Sequence, residues 1–203
     1  MRVKTDARRT AIVAAAWRAF RRNGFERTTM SDIVAIAGGS KATIYNYFES
    51  KDELFAAALD HGLRNASEAP FRELAGQGSL EDRLLRFARS DLKIRLSPDM
   101  TAVERILVAE GGRSHVYAAL REKSLLKRRK IAELLEPEMA AGRLRDADPI
   151  RAAIHLLGLI EADLVSRHLQ GDKTITPGML EEQVHQGVEA FLRAYAPAPA
   201  VVP

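Results

Sequence analysis

The chain has 203 residues, 46% hydrophobic and 29% charged, which suits one or two globular domains with a buried core. It has no cysteine, which excludes a disulfide frame and thiolate metal sites and fits a reducing compartment. Residues 1–50 carry nine Lys/Arg against four Asp/Glu, net +5, while residues 51–203 carry 22 against 23, net −1; together they give the chain's +4. A basic quarter on a near-neutral remainder is the electrostatic footprint of a polyanion-binding surface, although charge alone fits a solvated basic face equally well.

The start, "MRVKTDARRTAIVAAAWRAF", has the basic end and apolar run of a signal peptide, but Arg18 interrupts the run and Arg21 and Arg22 follow it. No stretch reaches the ~18 consecutive apolar residues that a membrane span needs, so a cytoplasmic protein with no membrane partner is expected. Ile12, Val13, Ala16, Trp17 and Phe20 form a helical stripe that stops at Asn23-Gly24. Thr28-Thr29 precedes "MSDIVAIA", a short helix expected to bury Ile33, Ile36 and Ala37, and Gly38-Gly39 breaks it. Ser40 can cap a helix over 41–47, and Ser50 a fourth, with Glu53 placed as in a capping box. Three helices with short turns and a fourth leaving at Lys51 make a helix-turn-helix unit with an exit strut.

Further on, "EAPFRELAGQGS" reads as a connection, with Pro70, Gly76 and Gly78. Helices are expected near 79–96, 99–111 and 115–140, the last kinked or ended by Pro137. Asp148-Pro149 opens a helix over 150–169 that is apolar around most of its circumference and so needs cover on both sides. The last helix, 177–195, carries Leu180, Val184, Val188, Phe191 and Tyr195 at helical spacing, and the Pro/Ala-rich tail 198–203 is expected to be disordered. The fold class is all-α: an N-terminal three-helix domain over 1–50 and a larger helical domain over 51–197, in which 51–68 is a connecting helix.

The short helix 41–47 is unusual in what it carries. A core helix would place Leu and Ala where this one has Lys41, Thr43, Tyr45, Asn46 and Tyr47. Ile44 and Phe48 lie at i and i+4 and can anchor it against Ile33 and Phe20. That turns Lys41, Ala42, Tyr45 and Asn46 outward, with Thr43 and Tyr47 on a flank.

The segment "GFERTTMSDIVAIAGGSKATIYNYFESKDELF", residues 24–55, resembles the DNA-binding signature of TetR-type transcriptional regulators. Gly24-Phe25, Thr28-Thr29, Ile33, Ala37-Gly38, Ser40, Thr43, Tyr45, Tyr47-Phe48, Lys51 and Leu54 stand in the family's order and spacing. The resemblance implies a second helix lying in the major groove of double-stranded DNA. There Lys41 can reach guanine O6/N7, Ala42 a thymine methyl and Asn46 an adenine edge. Thr43, Tyr45, Tyr47 and Lys51 stand where family members hold phosphates, and Ser31 is a further groove candidate. The basic arm Arg2, Lys4, Arg8 and Arg9 either touches DNA or stays solvated. Gly39 departs from the family, which usually has valine there. With Gly38 taking the left-handed turn position, Gly39 is expected at helical or extended angles, and Gly39→Val to stabilise the turn.

No catalytic constellation is present: the five histidines form no HExxH or paired metal spacing, no Gly-rich phosphate loop occurs, and no cofactor, metal or enzymatic activity is expected. "KRRK" at 127–130 reads as a solvated helix face. The resemblance implies that the C-terminal helices bind a small-molecule effector and that the last two pair in a homodimer. Gly158 and Gly187 would let helices approach closely, and Gly158, Leu164, His168, Val184, Val188 and Phe191 are the seam candidates. Glu161 and His168 intrude on an apolar stripe, either as a polar pair inside the seam or as ligand contacts. Met100, Arg113, His115, Tyr117 and Glu161 are the ligand candidates. The reading is a ligand-released, operator-binding homodimeric repressor. Its alternatives are a helical small-molecule-binding or enzymatic protein with an idle basic domain, and an architectural DNA-binding protein without an effector.

Overall fold

The computed structural model describes residues 2–63, 68–110 and 115–197, and every regular element among them is an α-helix. In chain order they are α1 (Arg2–Asn23), α2 (Met30–Ala37), α3 (Lys41–Tyr45), α4 (Lys51–Leu63), α5 (Ala69–Leu74), α6 (Leu80–Arg95), α7 (Pro98–Glu110), α8 (His115–Ala140), α9 (Pro149–Leu169) and α10 (Pro177–Ala194). The chain packs as two compact units, residues 1–66 with 98–121, and residues 67–97 with 122–203. The tail expected to be disordered, 198–203, lies outside the described residues.

The first unit is built on the stripe of α1. Ile12, Ala16 and Phe20 are fully buried with Ile33 of α2, Ile44 of α3, and Leu54, Phe55 and Ala58 of α4. The helix read from sequence as a connecting strut is thus part of this core. Phe20, Phe25 and Phe55 form an aromatic cluster with centroids 4.8–5.8 Å apart, a spacing that favours tilted and edge contacts. Gly24, at φ 80°, ends α1 with its amide donating to Phe20 O at 2.8 Å. Thr28, buried, closes the same loop by donating its hydroxyl to Gly24 O at 2.6 Å. Arg21 of α1 pairs with Asp99 of α7.

Two expectations for α2 need correction. Ile36 is 43% exposed and Ala37 only half-buried, because α2 presents a single face, Met30 and Ile33, to a core only one helix deep.

The second unit has its own core, in which Phe87 and Leu92 of α6, Ile131 and Leu135 of α8, Leu156 and Ile160 of α9 and Val184 and Phe191 of α10 are fully buried. The segment read as a connection holds a helix, α5. Pro70 fits its first turn, where a missing N–H costs nothing, and Leu74 is buried while Phe71 packs 6.2 Å from Phe87. Pro137 does not end α8, which runs on to Ala140. The "KRRK" run is not uniformly solvated: Lys127 bonds the buried Asp91 at 2.7 Å and Lys130 lies 4.6 Å over the Phe71 ring. Within α9, Ala162 leaves helical geometry altogether, at φ 34° and ψ −130°.

Candidate nucleic-acid interface

The helix-turn-helix is assembled from capped short helices. Thr29 caps α2: its Oγ1 accepts from Asp32 N at 3.2 Å, and the Asp32 carboxylate accepts from Thr29 N and from its hydroxyl at 2.8 Å each. These bonds, the backbone one foremost, hold the Asp32 carboxyl below its usual range. Ser40 caps α3 by accepting from Thr43 N at 3.1 Å, with Thr43 Oγ1 3.0 Å from its hydroxyl. Ser50 accepts from Glu53 N at 3.0 Å to cap α4, but Glu53 reaches back to Glu49 N at 2.6 Å rather than to Ser50 N.

On α3 the inward positions are Ile44 and, just beyond its end, Phe48, at 0% and 1% exposure. Lys41, Ala42, Tyr45 and Asn46 are exposed, and Thr43 and Tyr47 are half-buried on the flank. The helix is shorter than expected. It closes at Tyr45 with Asn46 as its cap, and Tyr47 N and Phe48 N both donate to Ile44 O, at 2.9 and 3.1 Å, in a tightened final turn. Thr43, expected free for a phosphate, also serves the cap. Ser31 is exposed in the first turn of α2. Lys51 lies 4.2 Å over the Phe25 ring and donates to Glu26 O at 3.2 Å, so α4 is tied to the loop after α1 while donors of the same ammonium remain.

The turn between α2 and α3 differs from the expectation. Gly38 and Gly39 both have positive φ, 72° and 89°. Gly39 is therefore not in a conformation that valine adopts, and the expected stabilisation by Gly39→Val is withdrawn. Sequence reasoning also missed the side chains that α1 lays across this region. Arg8 donates to Ala37 O at 3.1 Å and Gly38 O at 2.6 Å, and the Arg9 guanidinium sits 4.9 Å over the Phe48 ring.

The residues expected to line a ligand site fall in both units. Met100 packs, partly buried, against the core of the first unit. Arg113 lies outside the described residues, and His115 and Tyr117 lie on α8 where side-chain surroundings fall outside the description. Glu161 is partly buried, and its carboxylate meets the Arg95 guanidinium at 3.2 Å, beside the Asp91–Lys127 pair. Burial is the largest influence on it and raises its carboxyl above the ordinary range, opposed by Arg95 and Lys127. A cavity of about 590 Å³ in the second unit is lined by Leu80, Arg83, Glu138, Arg143 and Leu192, among others, and by none of the candidates.

The seam candidates need a sharper correction. Leu164, Val184, Val188 and Phe191 are all buried within the protomer's own core. Helical periodicity marks the apolar positions but not whether their cover comes from the same chain or a second one. Gly187 does permit a close approach, but within the chain, to the backbone of α9. Gly158 is exposed with open space around it, His168 is half-buried, and Ile150 and Ile154 are 37% and 41% exposed on the same helix.

A three-helix unit that fixes a short helix from below and leaves cation, amide and phenol groups on its outer side is a helix-turn-helix of the DNA-binding kind. Residues 12–58 match the bacterial regulatory proteins of the tetR family, and residues 82–197 match the AefR-like transcriptional repressor C-terminal domain. The chain belongs to the TetR family of transcriptional regulators. It is 27% identical over 188 residues to the uncharacterized HTH-type transcriptional regulator YhgD of Bacillus subtilis, covering 90% of this chain and 97% of that one. The flavonoid-responsive regulator FrrA is 31% identical with a TM-score of 0.78, over 96% of this chain and all of FrrA. A TetR-family regulator from Mesorhizobium loti shares the fold at a TM-score of 0.85 and 24% identity, over 94% of this chain and 98% of that one. Among the described residues no helix is long and apolar enough to cross a membrane.

Proposed function

We propose that this regulator is a cytoplasmic homodimeric repressor that holds a palindromic operator until a small-molecule effector releases it. The observation that carries the reading is the division of α3, with Ile44 and Phe48 buried beneath it and Lys41, Ala42, Tyr45 and Asn46 exposed. In the major groove Lys41 would face guanine, Ala42 a thymine methyl and Asn46 an adenine edge. Thr43, Tyr45, Tyr47 and Lys51 would grip phosphates, with Ser31 at the groove wall. Two copies of α3 would stand about one helical turn of DNA apart. The uncovered Ile150, Ile154 and Gly158 of α9 support pairing through that helix. Effector release is supported by the name of FrrA, described as flavonoid-responsive. An effector moves the equilibrium only if it binds the released state better than the DNA-bound one.

The test is selection of duplexes from a random pool, titration of the selected duplex at two salt concentrations, then addition of a flavonoid panel. The reading expects a palindromic consensus, a steep loss of affinity with salt and release by at least one compound. Salt-dependent binding without a consensus would replace it by an architectural role. Absence of binding at low salt would leave a helical small-molecule-binding protein.

A further inference from the structure

A five-residue helix cannot hold its own orientation, since the cost of fixing the first turn is not recovered over so short a length. Ile44 and Phe48 anchor α3 from below, and its two ends are gripped as well. Both ends are held from α1, by consecutive arginines. At the entrance, Arg8 donates from Nη1 to Ala37 O at 3.1 Å and from Nη2 to Gly38 O at 2.6 Å. These carbonyls lie at the C-terminal end of α2, where partial negative charge accumulates and a cation is favoured. At the exit, Arg9 covers the ring of Phe48 at 4.9 Å.

Gly39 explains why Arg8 can lie there. A Cβ on Gly39 would stand 2.7 Å from Arg8 Nη2, whereas one on Gly38 would meet nothing within 4 Å. Gly39 is thus favoured as glycine by its φ of 89°, and any side chain there would also have to move the end of the Arg8 side chain.

We propose that Arg8 is a positioning residue for α3. Its guanidinium clamps the α2–α3 turn and directs its charge to the α2 carbonyls instead of to a DNA phosphate. The proposal rests on the reading of α3 as the DNA-contacting helix, and it distinguishes Arg8 from the basic residues expected to touch the polyanion.

The experiment uses the full-length protein and has one arm without DNA and one with it. In the first, amide hydrogen exchange is followed at residues 40–43 in wild type, Arg8→Ala and Arg8→Lys. Exchange there should accelerate roughly tenfold or more in Arg8→Ala, the scale of losing charge-assisted hydrogen bonds, and partly recover in Arg8→Lys, which keeps one point donor. Unchanged exchange in Arg8→Ala overturns the clamp. If Arg8→Ala does not fold, the comparison of wild type with Arg8→Lys decides, and equal rates there overturn it.

In the second arm, affinity for a duplex selected by the wild-type protein is measured across salt. Arg8→Ala should bind more weakly with an unchanged slope of log affinity against log salt. A slope lowered by about 0.9 per half-site would make Arg8 a phosphate contact and overturn the proposal. A wild type that binds no duplex would overturn the DNA reading, while the exchange arm still decides the clamp. A double-mutant cycle adds an independent check. Gly39→Ala should accelerate exchange less in the Arg8→Ala background than in wild type, because the collision with the guanidinium is gone; strictly additive effects overturn the direct contact.

Discussion

Gly187 of α10 and Leu159 of α9 meet backbone to backbone: a Cβ on Gly187 would lie 2.7 Å from the Leu159 carbonyl oxygen and 2.8 Å from Ile160 Cα. No side-chain rotation relieves a contact with main chain, so any larger residue forces the two helices apart. Gly187→Ala should therefore lose about 1–3 kcal/mol, the usual scale of overpacking. A clear drop in the thermal midpoint of the second unit checks it. An unchanged midpoint would mean that α10 slides without loss.

At the other end of the chain, Gly39→Val should lower stability. A β-branched residue at φ 89° is strained by about 1–3 kcal/mol, and its side chain would also displace Arg8. Gly38→Ala meets no neighbour within 4 Å, so its loss should come from φ alone and be the smaller. Calorimetry of the two variants side by side gives the order, and a stabilised Gly39→Val would show that the turn can relax to negative φ.

These two glycines show where the sequence was legible and where it was not. The order of helices, their caps at Ser40 and Ser50, and the inward turn of Ile44 and Phe48 follow from spacing, because each is a local property of a few residues. The left-handed state of Gly39 was hidden because two adjacent glycines leave open which of them takes positive φ, and the approach of Arg8 comes from about thirty residues earlier in the chain. The covering of Leu164, Val184, Val188 and Phe191 was hidden for a related reason. An apolar stripe states that it will be buried, but not by which partner. The helix at α5 was missed because Pro and Gly around it read as loop, although Pro suits a first turn.

Two substitutions on α9 should now behave differently. Leu164→Glu places a carboxylate in the closed core of the protomer, with no partner for it, and should unfold the second unit. Ile154→Glu, at a 41% exposed position, should leave the fold intact and shift sedimentation from dimer to monomer. A well-folded, fully dimeric Ile154→Glu protein would place the pairing face elsewhere.

Lys41→Ala and Lys51→Ala should differ in kind. Loss of a phosphate contact at Lys51 should weaken binding to all duplexes and lower the salt slope by about 0.9 per half-site. It should also loosen the loop that holds Phe25 and Glu26. Loss of Lys41 should in addition relax preference at one base position. Selection from a random pool with each variant reads this directly, and matching base profiles would remove Lys41 from base reading.

The Glu161 carboxyl gives a pH signature. Its pKa is raised above the ordinary carboxyl value, mainly by burial, with Arg95 and Lys127 opposing and Asp91 reinforcing the rise. The folded state thus holds this proton more tightly than the unfolded chain. That contribution to stability is fully present below the unfolded value and fades as pH rises through the folded one. Urea midpoints should therefore carry a downward component as pH rises above the ordinary carboxyl range in wild type that Glu161→Gln lacks. Parallel pH profiles for the two proteins would contradict it.

The break at Ala162 has a consequence for the order of assembly. Alanine is the best helix former, so nothing local asks for φ 34° at this position. Two contacts at the break come from α10: Gln183 donates to Leu159 O at 2.8 Å, the carbonyl that an unbroken helix would offer to residue 163, and Gly187 presses on the same turn. A peptide of residues 149–169 alone should then form one uninterrupted helix, and the bend should arise only when α10 docks. On this reading the last helix of the chain writes the shape of the one before it.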